Sequence, residues 1–97
     1  ADPRPTALVF TTDMLAVAGI AVARGQGLRV PEDVSVAGFD DSPVAASLDL
    51  ATVRIDYAGL GEAAAAALMA LVRGADVPAF RPAAAELALR GSVAPLG

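Results

Sequence analysis

Apolar residues recur along the chain in runs of two sizes, and the size separates strands from helices. "TALVF" (6–10), "VSVAGF" (34–39) and "ATVRI" (51–55) are short runs bounded by polar or turn-forming residues, which predicts three strands. "AAELALR" (84–90) alternates instead. Leu87 and Leu89 fall on one face and Glu86, Ala88 and Arg90 on the other, which predicts a half-buried fourth strand. Longer patterns with a helical period lie between the strands. The first runs from about Asp13 to Arg24, with Thr12 or Asp13 at its N-cap and Gly25 and Gly27 where it should stop. Ser42 and Pro43 suit the start of a short helix over about 43–48. Asp56 caps a long Ala-rich helix over about 57–73, closed by Gly74.

The remaining segments read as connections. Residues 1–5 are an approach loop, "GLRVPED" is broken by Pro31, and "ADVPAFRP" is a loop with two prolines. The tail "GSVAPLG" is expected to be a surface extension. The order β-α-β-α-β-α-β predicts an α/β fold with a mostly parallel sheet flanked by helices and right-handed crossovers. Three or four strands make a thin sheet, so further pieces of the architecture are expected outside these residues.

The first helix is apolar on too many sides for a single partner. Leu15, Ala18 and Val22 form one stripe, and Val17, Ile20 and Ala21 form another. One stripe covers the sheet; the other packs either within the chain or against a second subunit. Val44 and Leu48 add an apolar pair one turn apart. Val17, Ala21, Val44 and Leu48 are therefore the candidate face of an isologous dimer.

Composition narrows the chemistry. The chain of 97 residues is 56% hydrophobic and 19% charged, so it should pack. It has no Cys and no His, which removes disulfides, Cys-containing zinc sites and Ser-His or Cys-His nucleophile pairs. Every one of its seven basic residues is Arg, so lysine chemistry is absent too. A net charge of −4 with scattered arginines argues against direct nucleic-acid binding. No apolar run reaches the length of a membrane span, and no basic-then-apolar leader opens the chain.

Candidate chemistry gathers where strands end, because open parallel sheets bind ligands beyond the carboxyl ends of their strands. The first strand runs into Thr11, Thr12 and Asp13, the second into Asp40 and Asp41, the third into Ile55, Asp56 and Tyr57. Each end precedes a helix start, where free N–H groups favour carboxylates. Either both aspartates of the 40–41 pair serve only the turn, or one stabilises the helix that follows and the other accepts hydrogen bonds from a ligand. Asp13 and Asp56 are read first as caps. Tyr57 either stacks on a ligand or fills the core. Carboxylates, hydroxyls and a ring suit a neutral polyhydroxyl compound. Three enzyme-like or signalling readings are weaker. A phosphoacceptor receiver needs a lysine. A Mg²⁺-dependent hydrolase would use Asp13, Asp40 and Asp41. Gly59-Leu60-Gly61-Glu62-Ala63-Ala64 fits a dinucleotide fingerprint, but the helix starts before it.

"PTALVFTTDMLAVAGIAVARGQGLRVPEDVSVAGFDD" and "TVRIDYAGLGEAAAAAL" resemble successive motifs in the effector-binding domain of LacI-type transcriptional regulators. The resemblance covers nearly the whole chain. It implies a partial periplasmic-binding-protein-like (type I) lobe, the C-terminal part of a two-lobed domain. Residues 1–55 and about 84–92 would belong to the C-terminal lobe, and about 56–83 would cross to the other. The DNA-binding helix-turn-helix head is absent from these residues. It further implies a cytoplasmic regulator, not an enzyme, with no catalytic residue, metal or cofactor. Its partners would be a small-molecule effector such as a sugar or related polyol, a second copy in a homodimer, and DNA only through the missing N-terminal domain.

By resemblance, Thr12 stands where a ligand-contacting Asn is frequent, Asp13 matches the acid after it, Asp40 matches the acid that holds effector hydroxyls, and Tyr57 matches a cleft aromatic. Ile55 stands where Gln is usual, so one polar ligand contact is expected to be lost. The segment "LDLATV" lacks the usual Pro-Pro and is shorter than the family pattern. The nearest alternative is a fragment of a periplasmic sugar-binding transport protein, which shares the lobes; "VPEDVSVAGFDD" leans towards the regulator.

Overall fold

Strand β2 (Ser35–Ala37) organises the sheet, and its backbone donors show how. In this computed structural model, which describes residues 4–79 and 84–96, β1 (Ala7–Val9) runs parallel to β2 with Leu8 opposite Val36. On that side, Ser35 N–H donates to the Thr6 carbonyl and Phe10 N–H to the Ala37 carbonyl, both at 2.9 Å. N–H groups on the opposite edge alternate with these, as the pleat requires. Val36 donates to Ser92 O, Gly38 to Ala51 O and Asp40 to Val53 O, each at 2.9 Å. Parallel bridges join Ala37 to Ala51 and Asp40 to Arg54. The second neighbour of β2 is therefore composite: the tail covers its start, and β3 (Thr52–Ile55) with the residue before it covers its end.

That composite neighbour corrects the expectation of a surface tail. Ser92 is buried, its N–H donates to Asp49 O at 3.1 Å, and its Oγ is used twice. The hydroxyl donates to Val36 O at 2.6 Å and accepts from Ala51 N–H at 2.8 Å. Ala94 N–H donates to Ser35 Oγ at 3.0 Å. A Gly-Ser-Val-Ala-Pro string carries turn-like composition, but its small polar side chain satisfies backbone groups that a short sheet would otherwise leave open. β4 (Ala85–Ala88) pairs with β3 in a two-stranded sheet. Its leucine row is also a correction: Leu87 and Leu89 are exposed, while Arg90 on the opposite row is drawn inward by polar partners.

Helix α1 (Asp13–Gly25) forms as its sequence signals predict. Thr12 is the N-cap, with extended backbone, and its Oγ1 accepts from Leu15 N–H at 3.2 Å. Gly27, at φ +82°, reverses the chain and lets Leu28 N–H return to Ala23 O at 2.9 Å. The buried face differs from both stripes proposed above. It is Asp13, Ala16, Ile20 and Ala23, while Leu15 and Val22 are exposed. Close approach explains the choice of small residues: a Cβ on Gly38 would meet the Asp13 side chain and lie 3.3 Å from Ala16 Cβ. The core beneath is Ala16, Ile20, Val36, Ala45 and Leu50, with Phe10, Val17 and Val30 against it. Ala45 comes from α2 (Pro43–Ser47).

The chain divides into two compact units, Ala1–Arg54 with Glu86–Gly97, and Ile55–Ala85. The second unit is dominated by α3 (Tyr57–Val72), capped by Asp56, whose Oδ1 accepts from Gly59 N–H at 3.0 Å. Gly74, at φ +69°, follows its end, and Ala75 N–H donates to Ala70 O at 2.9 Å. No α3 residue is buried, and Leu68, Leu71 and Val72 are all exposed. Residues 1–3 of the approach loop, residues 80–82 of the two-proline loop, residue 83 and the final Gly97 lie outside the described residues.

Ser92→Ala leaves a buried carbonyl and a buried N–H without their partner. The expected cost is about 1–3 kcal/mol in urea denaturation, several times that of an exposed control such as Ser47→Ala. Equal midpoints for the two variants would contradict this account of the tail.

Candidate functional site

Asp13 opens the first turn of α1, four residues beyond the end of β1 at Val9, and is 1% exposed. Its carboxylate accepts at both oxygens. Oδ2 takes Ser42 N–H at 2.6 Å and Ser42 Oγ–H at 2.9 Å, and Oδ1 takes Thr52 Oγ1–H at 2.6 Å. Its own N–H donates to Phe39 O at 3.0 Å. Thr52, fully buried, accepts from Asp41 N–H at 3.2 Å. One side chain thus ties α1, the loop after β2 and the start of β3 together at the carboxyl edge of the sheet.

The loop it holds is unusual. Asp40 has φ +113° and Asp41 φ +54°, two consecutive non-glycine residues in left-handed space. Asp tolerates the second value far better than the first. Such positions cost of order 1–3 kcal/mol each and persist where their surroundings over-determine them. The surroundings here are Asp40 N–H on Val53 O, Asp41 N–H on Thr52, and Ser42 on Asp13.

The Asp41 carboxylate has a different task. Arg54 Nε donates to Oδ2 at 2.7 Å, and Arg90 Nη2 lies 2.9 Å from Oδ1. Arg90 Nη1 also donates to Leu50 O at 3.0 Å, and Arg54 Nη1 reaches Glu86 Oε2 at 3.6 Å. Hydrogen bonding from Arg54, then from Arg90, holds the Asp41 carboxyl below the ordinary range for aspartate. A second pair braces the loop before β2. Arg29 donates through Nε and Nη2 to Asp33 at 2.9 and 3.0 Å, and the Asp33 carboxyl falls to about 2.

The expectation that one aspartate of the 40–41 pair serves the following helix is modified. Ser42 is the N-cap of α2 without a side-chain cap bond, because its hydroxyl goes to Asp13. Asp41 turns to the arginines. Thr12, Asp13 and Asp40 all stand in the first unit at the ends of adjacent strands, whereas Ile55 and Tyr57 open the second unit. Ile55 is half-buried, and Tyr57 is 54% exposed. Asp13 is corrected from candidate ligand contact to internal acceptor, since a side chain 1% exposed with three internal donors has no free face for a ligand. Of the apolar quartet, Val17 and Val44 are half-buried, and Ala21 and Leu48 are exposed. Sequence reasoning missed Ser42, Thr52 and Arg90 as partners of the strand-end aspartates. A lone Arg in the strand-like string "LALR" was the available signal for Arg90, and no local signal marked Ser42 or Thr52 as donors to Asp13.

Other features of the surface do not compete. A cavity of about 380 Å³ flanks the C-terminal half of α1, lined by Leu8, Phe10, Val22, Leu28 and Val34 among others, and it offers an apolar wall to any hydroxyl. Among the described residues no group of three or more carboxylates is arranged to hold a metal ion, and no helix is long and apolar enough to cross a membrane. Gly59 and Gly61 lie inside α3, which leaves no glycine loop for a dinucleotide phosphate.

Comparison with known proteins then identifies the lineage. The periplasmic binding protein-like domain family matches residues 1–93. The HTH-type transcriptional regulator MalR of Streptomyces coelicolor is 45% identical over 95 residues, covering 92% of this chain and 27% of that protein. The arabinose metabolism transcriptional repressor of Geobacillus stearothermophilus is 37% identical over 98 residues, covering 94% and 26%. The crystal structure of a LacI family transcriptional regulator from Bifidobacterium animalis subsp. lactis superposes with a TM-score of 0.88 at 36% identity, covering 100% of this chain and 36% of that one. These relatives are transcriptional regulators, not enzymes, and the chain spans about a quarter of the length of the curated ones.

The depressed carboxyls set an acid limb. A carboxyl held low in the folded state adds stability that is complete above its unfolded value, near pH 4, and fades as pH falls through the folded value. Stability should therefore be flat near pH 7 and fall below about pH 4. Asp41→Asn, which keeps a left-handed-tolerant side chain, and Asp33→Asn should each flatten that fall in urea titrations at pH 7, 4 and 3. Parallel acid limbs in wild type and both variants would contradict the ion-pair assignment.

Proposed function

The chain belongs to the LacI-type transcriptional regulators, through their periplasmic binding protein-like domain, and we propose that it is the part that senses a small neutral polyhydroxyl effector. On this reading residues 1–55 and about 84–92 belong to the C-terminal lobe of the family's two-lobed domain and about 56–83 cross to the other lobe, and the effector binds between the lobes of the intact protein. Asp40 accepts hydrogen bonds from effector hydroxyls, Thr12 adds a hydroxyl at the same edge, and the Tyr57 ring covers C–H faces. Ile55 offers an apolar contact where the family pattern has Gln, which favours an effector without a polar group at that point. The observation that carries this reading is the pair of left-handed aspartates held at the carboxyl end of the central strand, where open parallel sheets bind their ligands. The arabinose repressor among the relatives supports a sugar.

Effector occupancy then changes operator binding by a helix-turn-helix that lies outside these residues, in a cytoplasmic protein. The protein acts as a homodimer through Val17, Ala21, Val44 and Leu48. Partial exposure of that quartet, with apolar Leu48 53% exposed, supports the pairing.

Calorimetric titration of the intact protein with maltose, L-arabinose, D-ribose and D-glucose tests the reading. Saturable binding of at least one is expected, and Asp40→Asn should weaken it about tenfold or more, the worth of a hydrogen bond to a charged group. No heat from any of the four, or an Asp40→Asn variant that binds as wild type, would count against it. Val17→Asp should convert a dimer to monomer on a sizing column; an unchanged elution volume would remove the dimer assignment.

A further inference from the structure

We propose that Asp13 is a positioning residue: it grips both ends of the Asp40–Asp41 segment and so presets Asp40 for its ligand. This inference rests on the reading of Asp40 as the effector-binding acid. The grip is visible atom by atom. Asp13 N–H holds Phe39 O, immediately before the left-handed pair, at 3.0 Å. Its Oδ2 holds Ser42 N–H and Oγ–H, immediately after the pair, at 2.6 and 2.9 Å. Its Oδ1 holds Thr52 Oγ1–H at 2.6 Å, and the same hydroxyl receives Asp41 N–H at 3.2 Å. Front, middle and back of a four-residue segment therefore converge on one residue: the front on the Asp13 N–H, the back on its carboxylate, and the middle on that carboxylate through the Thr52 hydroxyl.

Geometry forbids a looser arrangement. Asp13 is 1% exposed and Thr52 is fully buried, so water does not replace a lost bond. Gly38, one residue before Phe39, lies so close that an added Cβ would meet Asp13 Oδ1 and stand 2.9 Å from its Cα. The helix start cannot shift without moving the strand end. Asp13 acts at a distance from any ligand, as supporting residues do when they hold a binding group within a fraction of an ångström of its productive position. An amide in place of its carboxylate turns a donor towards donors, and the segment is released from φ > 0.

The test labels aspartate with ¹³C and ¹⁵N in the intact protein and follows the Asp40 and Asp41 signals in wild type, Asp13→Asn, Thr52→Val and Thr52→Ser. The first two substitutions should move the Asp40 and Asp41 Cα shifts and HN–Hα couplings away from left-handed values. Thr52→Ser keeps the hydroxyl and should leave them in place. In titrations with the same four sugars, Asp13→Asn and Thr52→Val should bind about tenfold more weakly, and Thr52→Ser as wild type. Should Asp13→Asn fail to fold, the Thr52 pair decides. Unchanged Asp40 and Asp41 signals in a folded Asp13→Asn or Thr52→Val variant would overturn the proposal. If no sugar binds wild type, the effector reading fails, while the spectroscopic arm still decides whether Asp13 holds the segment.

Discussion

A carboxylate taken out of water is costly unless donors surround it, and once surrounded it becomes rigid. Asp13 meets that condition with two donors from Ser42 and one from Thr52. It also sits in the first turn of α1, where the helix N-terminus favours negative charge. Three elements that are distant along the chain are held to one another at this point. Loss of any donor would leave a buried acceptor partly unsatisfied, so the elements move together or not at all. The left-handed conformations of Asp40 and Asp41 are one consequence, because their neighbours on both sides are already committed.

The thin sheet is completed by borrowed pieces. β2 has β1 on one edge, and on the other edge two segments that share the work, Ala51–Val53 and the tail at Ser92. Ser92 joins those two segments, since its hydroxyl touches both Val36 and Ala51. Arg90, two residues earlier, reaches Asp41 and Leu50. The return of the chain after β4 is therefore a structural member of the first unit, tied to the same loop that carries Asp40.

The second unit obeys a different balance. α3 has no buried residue, yet it is well formed. Its run of alanines has the highest helix propensity, Asp56 caps its start, and Gly74 follows its end. Apolar side chains that face outward here are covered by nothing among the described residues, and the chain spans only 27% of its Streptomyces coelicolor relative. Local physics thus builds the helix, while tertiary packing contributes little to it.

Among the described residues, the order and type of the seven elements were legible from the sequence because each depends on neighbours a few positions away. Thr12 and Asp56 as caps, Gly27 and Gly74 as reversals, and Pro43 at a helix start are bonds and torsions that a short string contains in full. The carboxylates at the strand ends were legible for the same reason, as letters at a boundary. Their tasks were not. Asp13 finds its donors 29 and 39 positions away, Asp41 meets Arg54 13 positions on, and Ser92 reaches back 56 positions to Val36. The choice of Ala16 and Ala23 over Leu15 and Val22 for the buried face also waited on how closely Gly38 lets the helix approach. Which polar atom is enclosed, and by which donors, depends on chain closure in three dimensions. A sequence sets the supply of donors and acceptors, and only the packed structure pairs them.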